Sequence, residues 1–137
     1  MPVRVGAPAP DATGRMTSEL VHAIIDTGAQ ISAIRVDIAD RLALPVIGSQ
    51  PIFGGTSAHP QVLPLVLGVV VFMAANGQSF SLKLPMTKSP LVQAQMLFGM
   101  DAMVGSELLV DLAANVWRWK IVDVVPPPTT APHQRSN

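Results

Sequence analysis

Apolar positions in this chain fall into short runs, most of which read as strands. "ELVHAII" (Glu19–Ile25) predicts a strand that leads straight into Asp26, and "QISAI" (Gln30–Ile34) predicts a second, shorter one. "RVDIADRLAL" changes period: Val36, Ala39, Leu42 and Ala43 share one helical face, and Asp37 and Arg41 form an i, i+4 pair, with Pro45 ending the helix. In "PIFGGTSAHPQVLPLVLGVVVF" two glycines and two prolines surround a turn between apolar runs, which predicts a hairpin. "GQSFSLKLPM" sets Phe80, Leu82 and Leu84 against polar neighbours as one more strand. "AQMLFGMDAMVG" reads as a strand, a glycine break and a short helix. A closing hairpin follows in "ELLVDLAANVWRWKIV", from Leu109–Leu112 through the turn "AAN" to Val116–Val122. The sum is a mostly-β domain with one or two short helices and no internal sequence repeat.

The two ends have a different texture. Residues 1–15 read as a loop-rich N-terminal segment, with a short edge strand at "PVRV". Residues 16–124 form the folded body, and residues 125–137 ("VPPPTTAPHQRSN") a disordered proline-rich tail.

Composition narrows the class. A chain of 137 residues can bury a core without staples, and its lack of cysteine excludes disulfides and thiolate metal sites. Formal net charge is zero, with no basic run, so neither nucleic acid nor an anionic membrane is an expected partner. "VLPLVLGVVVFMAA" (Val62–Ala75) is too short and too interrupted by Pro64 and Gly68 to span a bilayer as a helix. No leader layout is legible at the N-terminus, which makes the cytoplasm the expected location. Charged residues make up only 13%, and the hydrophobic fraction is 49% before ten glycines are added, against a usual ~45–50% with glycine included. That surplus points to a second buried surface, most simply between subunits.

The candidate chemistry centres on Asp26-Thr27-Gly28. Taken alone, the tripeptide is equally an ordinary turn, since Asp-x-Gly often ends a strand through an Asx-type hydrogen bond. Its setting is more specific: an apolar strand before it, Ala29 and an apolar alternation after it, and far downstream Leu97-Phe98-Gly99 followed by Asp101. In "IIDTGAQISAI", "VDIADRLAL", "FGGTSAHP", "LFGMDAM" and "LVDLAANVWRWKI" the chain resembles retropepsin-like aspartic proteases. It is most similar to their single-domain cellular and bacterial branch, which includes the DNA-damage-inducible ubiquitin-shuttle proteases. The resemblance runs from Leu20 to Ile121 and implies a closed β-barrel-like fold that pairs as a symmetric dimer.

The chemistry of such a site follows from proton bookkeeping. One carboxylate takes a proton from water while another protonates the substrate; two carboxylates about 3 Å apart cannot both ionise and so share one proton. One Asp-Thr-Gly supplies one carboxylate, and the near miss "DATG" at Asp11 has an extra residue and a loop setting. The partner is then Asp26 of a second copy, so the expected assembly is a homodimer acting on a polypeptide substrate, with no cofactor and no metal. By the same resemblance Asp26 and Thr27 and Gly28 make the catalytic turn, with Thr27 bonding across the two-fold axis. Leu97, Phe98 and Gly99 pack behind it, and Asp101 is a structural helix-start residue. Ala29, Gln30, Phe53, Gly54, Gly55 and Thr56 are expected to touch substrate, the last four on a mobile hairpin, or flap. Ala29 stands where pepsin-like enzymes usually carry a hydroxyl, which implies activity extending towards neutral pH. Viral members usually place an acid soon after this turn and an arginine after the later glycine; Gln30, Ile31 and Met100 occupy those places here. His22, His59 and His133 are scattered and read as strand, loop and tail residues. The competing expectation is a catalytically weak module of the same fold that dimerises or binds peptides.

Overall fold

The computed structural model describes residues 1–53, 59–73, 76–104, 106–111, 113–114 and 116–121. Its contacts divide the chain into two units, Met1–Ala102 and Met103–Asn137.

In the first unit the strands are β1 (Pro2–Gly6), β2 (Ser18–Ile25), β3 (Ala33–Arg35), β4 (Val46–Ile52), β5 (Gln61–Met73), β6 (Ser79–Ser89) and β7 (Met96–Phe98), with one short helix, α1 (Val36–Arg41), after β3. Six strands close into a barrel in the order β1-β2-β7-β3-β6-β5 and back to β1, while β4 pairs only with β5 and hangs outside the ring. Closure depends on β1, whose Arg4–Gly6 pair antiparallel with Val69–Val71 while the whole strand also pairs with β2. The N-terminal run expected to be an edge strand is therefore enclosed by two neighbours. Val3 and Val5 show why, since both are fully buried.

The strand β5 is long enough to serve two partners on one side. Its first half, from Gln61 to Val66, holds β4, and Val69–Val71 hold β1. Pro64 lies before the β5–β6 ladder, which begins at Leu65↔Thr87, and Pro85 lies before the β3–β6 ladder, which begins at Ala33↔Thr87. Each proline thus sits where one flank is open and its missing N–H breaks no bond on that side. Alternation fills the interior with Val21, Ala23, Val66, Val70, Leu84, Met86, Met96 and Phe98. The outward positions of β2 are less polar than that pattern implies, because Leu20 and Ile24 stay exposed.

Helix α1 covers one end of this core with Ile38, Ala39 and Leu42. The expected face was centred one residue away: Ile38 is fully buried, whereas Ala43 is exposed and stands outside the helix. The helix ends before Pro45, with Leu42 as its cap. Ala43 N–H then donates to Asp40 O and Leu44 N–H to Ala39 O. This crossed pair of bonds places Ala43 in the left-handed region, at φ +50°. An L-residue there is strained by about 1–2 kcal/mol, partly offset by glycine's freer unfolded chain. Ala43→Gly is accordingly expected to raise stability by about 0.5–1 kcal/mol, read as a higher urea midpoint at unchanged slope.

On the solvent side Arg41 bonds both Glu19 of β2 and Asp37, and Arg35 bonds Asp37 at 2.6 Å. The Arg35 guanidinium, helped by Arg41, holds the Asp37 carboxyl well below the usual carboxylate range. Among the described residues no helix is long and apolar enough to cross a membrane. The second unit contains an antiparallel hairpin of β8 (Ser106–Asp111) and β9 (Val116–Ile121), with Asp111 Oδ1 accepting the Ala114 N–H in its turn. A closing hairpin was expected from the sequence; its first strand begins at Ser106 rather than Leu109, and Leu112, Asn115 and Val122 lie outside the described residues.

Candidate active site

Asp26 is the first residue after β2, and its position is fixed from below by β7. That strand lies between β2 and β3, parallel to the first and antiparallel to the second. The chain leaves β2, loops through residues 26–32 and returns as β3 on the far side of β7. The loop is consequently draped over the end of β7 and the residues that follow it.

Backbone bonds hold the drape. Asp26 N–H donates to Phe98 O at 2.8 Å, Met100 N–H to Ala29 O at 2.8 Å and Asp101 N–H to Gln30 O at 3.1 Å. Gly99 is the contact point. A Cβ built there would lie 2.7 Å from Ile31 C and 2.9 Å from Ala29 O, so only glycine allows the two segments to approach this closely. Phe98 itself is fully buried.

The loop closes on itself through Asp26, whose carbonyl accepts Ala29 N–H and whose Oδ1 accepts Gly28 N–H at 3.0 Å. Among the described residues no cation pairs with this carboxylate and no second carboxylate does either. It is half-buried, and a Cβ on Gly28 would crowd its Oδ1 at 3.2 Å. Asp11 makes an instructive contrast. Its Oδ1 accepts from Thr13 N–H, Thr13 Oγ1 and Arg15 N–H, and these donors, the Thr13 hydroxyl foremost, hold it below the usual carboxylate value. Both acids take their bonds on Oδ1, Asp11 from three donors of its own turn and Asp26 from the Gly28 N–H alone.

Beyond Gly28 a cleft of about 630 Å³ runs between residues 28–31 on one wall and residues 50–53, the end of β4, on the other. The fold thus brings Gly28, Ala29, Gln30 and Phe53 to one depression, although Phe53 is distant from the others in sequence. Phe53 is also mostly exposed. Gly54, Gly55 and Thr56, expected on the hairpin beyond it, lie outside the described residues. Thr27 is exposed, and its hydroxyl meets no partner among the described residues. His22 and His59 are exposed and stand apart from this cleft, and His133 lies outside the described residues.

No protein-family model matches this sequence, and no curated protein matches it.

Two residues of the site were not singled out from sequence. Gln50 lines the cleft opposite Gln30. Ser32, fully buried, donates its hydroxyl to Asp101 Oδ1 at 2.7 Å and accepts the Gly99 N–H at 3.0 Å. A lone serine between Ile31 and Ala33 was the available signal, because a polar side chain inside an apolar run demands a partner. Asp101, expected as a helix-start residue, does bond Ala102 N–H in the 3₁₀ turn Met100–Met103, and it also receives the Ser32 N–H and hydroxyl. Its reach extends back to the Asp26 loop.

Proposed function

We propose that this chain is one half of a homodimeric aspartic endopeptidase of the retropepsin type. The observation that carries the reading is the loop of residues 26–32: its backbone is bonded down onto residues 98–101, while its single carboxylate stays half-exposed beside a cleft. A turn whose backbone is bonded down while its acid takes a single bond, from the Gly28 N–H, suits an acid whose partner comes from elsewhere. Exposed Leu20 and Ile24 on β2, the strand that carries Asp26, fit a surface that a second copy would cover.

Two Asp26 carboxyls sharing one proton then perform hydrolysis. The ionised one takes a proton from water as the oxygen attacks the peptide carbonyl, and the protonated one gives its proton to the carbonyl oxygen. Collapse of the tetrahedral intermediate breaks the C–N bond, with a proton passing to the leaving nitrogen, and the dyad regains its single shared proton. The substrate lies extended in the cleft between residues 28–31 and the β4–β5 hairpin.

The test is incubation of the purified chain with a mixed peptide library from acid to neutral pH, beside a variant lacking the Asp26 carboxylate, with its mass in solution measured in parallel. Carboxylate-dependent cleavage by a dimer supports the endopeptidase. A stable dimer without cleavage supports the binding module, and a monomer without cleavage removes both. Within the enzyme reading, Ala29 offers the dyad no hydroxyl. Ala29→Ser adds a donor that favours the charged form, so the acid limb of the kcat/KM profile is expected to move to lower pH. A profile that stays in place refutes that role for position 29.

A further inference from the structure

Among the described residues only three uncharged polar side chains are buried with the core, Ser32, Thr87 and Ser89, and all three lie on one seam behind the Asp26 loop. Thr87 N–H donates to Ser32 O at 3.0 Å, with the Thr87 hydroxyl 3.4 Å from the same oxygen. The Thr87 and Ser89 hydroxyls share a bond of 2.9 Å, and Ser32 continues the chain to Asp101 Oδ1 and Gly99 N–H. No described buried side-chain donor or acceptor is left unsatisfied.

Hydroxyls cost desolvation, and shape-matched apolar residues commonly serve stability as well or better. Scattered through the barrel, three of them would call for no common explanation. Their confinement to one connected chain ending at the loop of Asp26 does call for one. Ser32 is the junction. Its single hydroxyl proton goes to Asp101, which leaves its lone pairs for Gly99 N–H and fixes the rotor. Asp101 Oδ1 in turn accepts three donors: the Ser32 amide, the Ser32 hydroxyl and the Ala102 amide.

We infer that Ser32, Thr87, Ser89 and Asp101 form a positioning network that locks the Asp26 loop to the barrel wall at β6, fixing where the carboxylate stands without touching substrate. The network requires an acceptor at position 101, not a charge, so asparagine there suffices. The kinetic consequences rest on the endopeptidase reading; the mechanical ones do not.

Four measurements test this. Ser32→Ala is expected to lower kcat by ~10–100-fold with KM changed by less than about twofold, as for a misplaced catalytic group. Asp101→Asn retains most of the parent kcat. The pair Thr87→Val and Ser89→Ala, made together, leaves the urea midpoint equal or higher while kcat falls by about threefold or more. Amide exchange gives a readout free of activity: in Ser32→Ala the Gly99, Met100 and Asp26 amides exchange at least about tenfold faster, while those of Val66 and Val70 keep their rates. Unchanged exchange at the loop overturns the proposal, as does a Ser32→Ala variant that keeps its kcat or loses efficiency through KM alone. If the parent chain cleaves nothing while the loop amides respond as described, the endopeptidase reading fails and the positioning network stands.

Discussion

Asp26→Asn is expected to abolish cleavage, with a loss of ~10²–10⁴-fold or down to background, the range that a positioned acid–base group supplies. Asparagine keeps an oxygen to accept the Gly28 N–H, so the turn retains its shape, and circular dichroism and the urea midpoint should match the parent. What disappears is the proton exchange that the shared dyad needs. A mixing experiment sharpens the result. If each active centre takes one Asp26 from each of two copies, an equal mixture of parent and variant chains, unfolded and refolded together, forms parent–parent pairs in only about a quarter of its dimers. Activity should then fall to about that fraction. Retention of half would mean that each chain works alone, and it would end the two-copy reading even if Asp26 proved essential.

Gly99→Ala is expected to be the most damaging glycine-to-alanine change among the described residues. Ordinarily glycine to alanine gains about 0.4–1 kcal/mol by restricting the unfolded chain. Here the added carbon meets the backbone of Ile31 and Ala29 at 2.7–2.9 Å, and backbone held in a hydrogen-bonded loop cannot swing away as a side-chain tip can. The cost should be about 1–3 kcal/mol of stability, the scale of overpacking a well-filled site. The two segments it would separate carry the bonds from Met100 to Ala29 and from Asp101 to Gln30, so the Asp26 loop should loosen as well. Urea titration measures the first effect, and amide exchange at Asp26 and Met100 the second. A variant as stable as the parent, with the loop still protected, would show that the close approach is not required.

Local structure was legible where one period persisted over several residues. Phe80 and Leu82 are half-buried and Leu84 buried, against exposed neighbours along β6, and the Asp37–Arg41 pair lies on α1 as its spacing implies. Legibility failed where a partner outside the element decided the outcome. Ile38, set aside by the face drawn through Ala43, is buried in the core, while the chain turns left-handed at Ala43 and that residue is exposed. "PVRV" (Pro2–Val5) reads as an edge until Val69–Val71 are known to lie beside β1. In the site, Asp26 and the turn after it were visible because a carboxylate at the end of an apolar strand is costly and so conspicuous. Ser32 was passed over, because nothing near it in sequence announces Gly99 or Asp101.

By itself the sequence determined most of the elements and set Asp26 apart at the end of an apolar strand, since strand period, helix pairing and turn chemistry are settled among residues a few positions apart. Tertiary structure alone decided that β1 closes the barrel, that β7 threads between β2 and β3, and that residues 98–101 hold the Asp26 loop. Those outcomes depend on which backbones meet when a twisted sheet curls until its first strand finds its fifth, and pairing at such separations leaves no local trace in the chain.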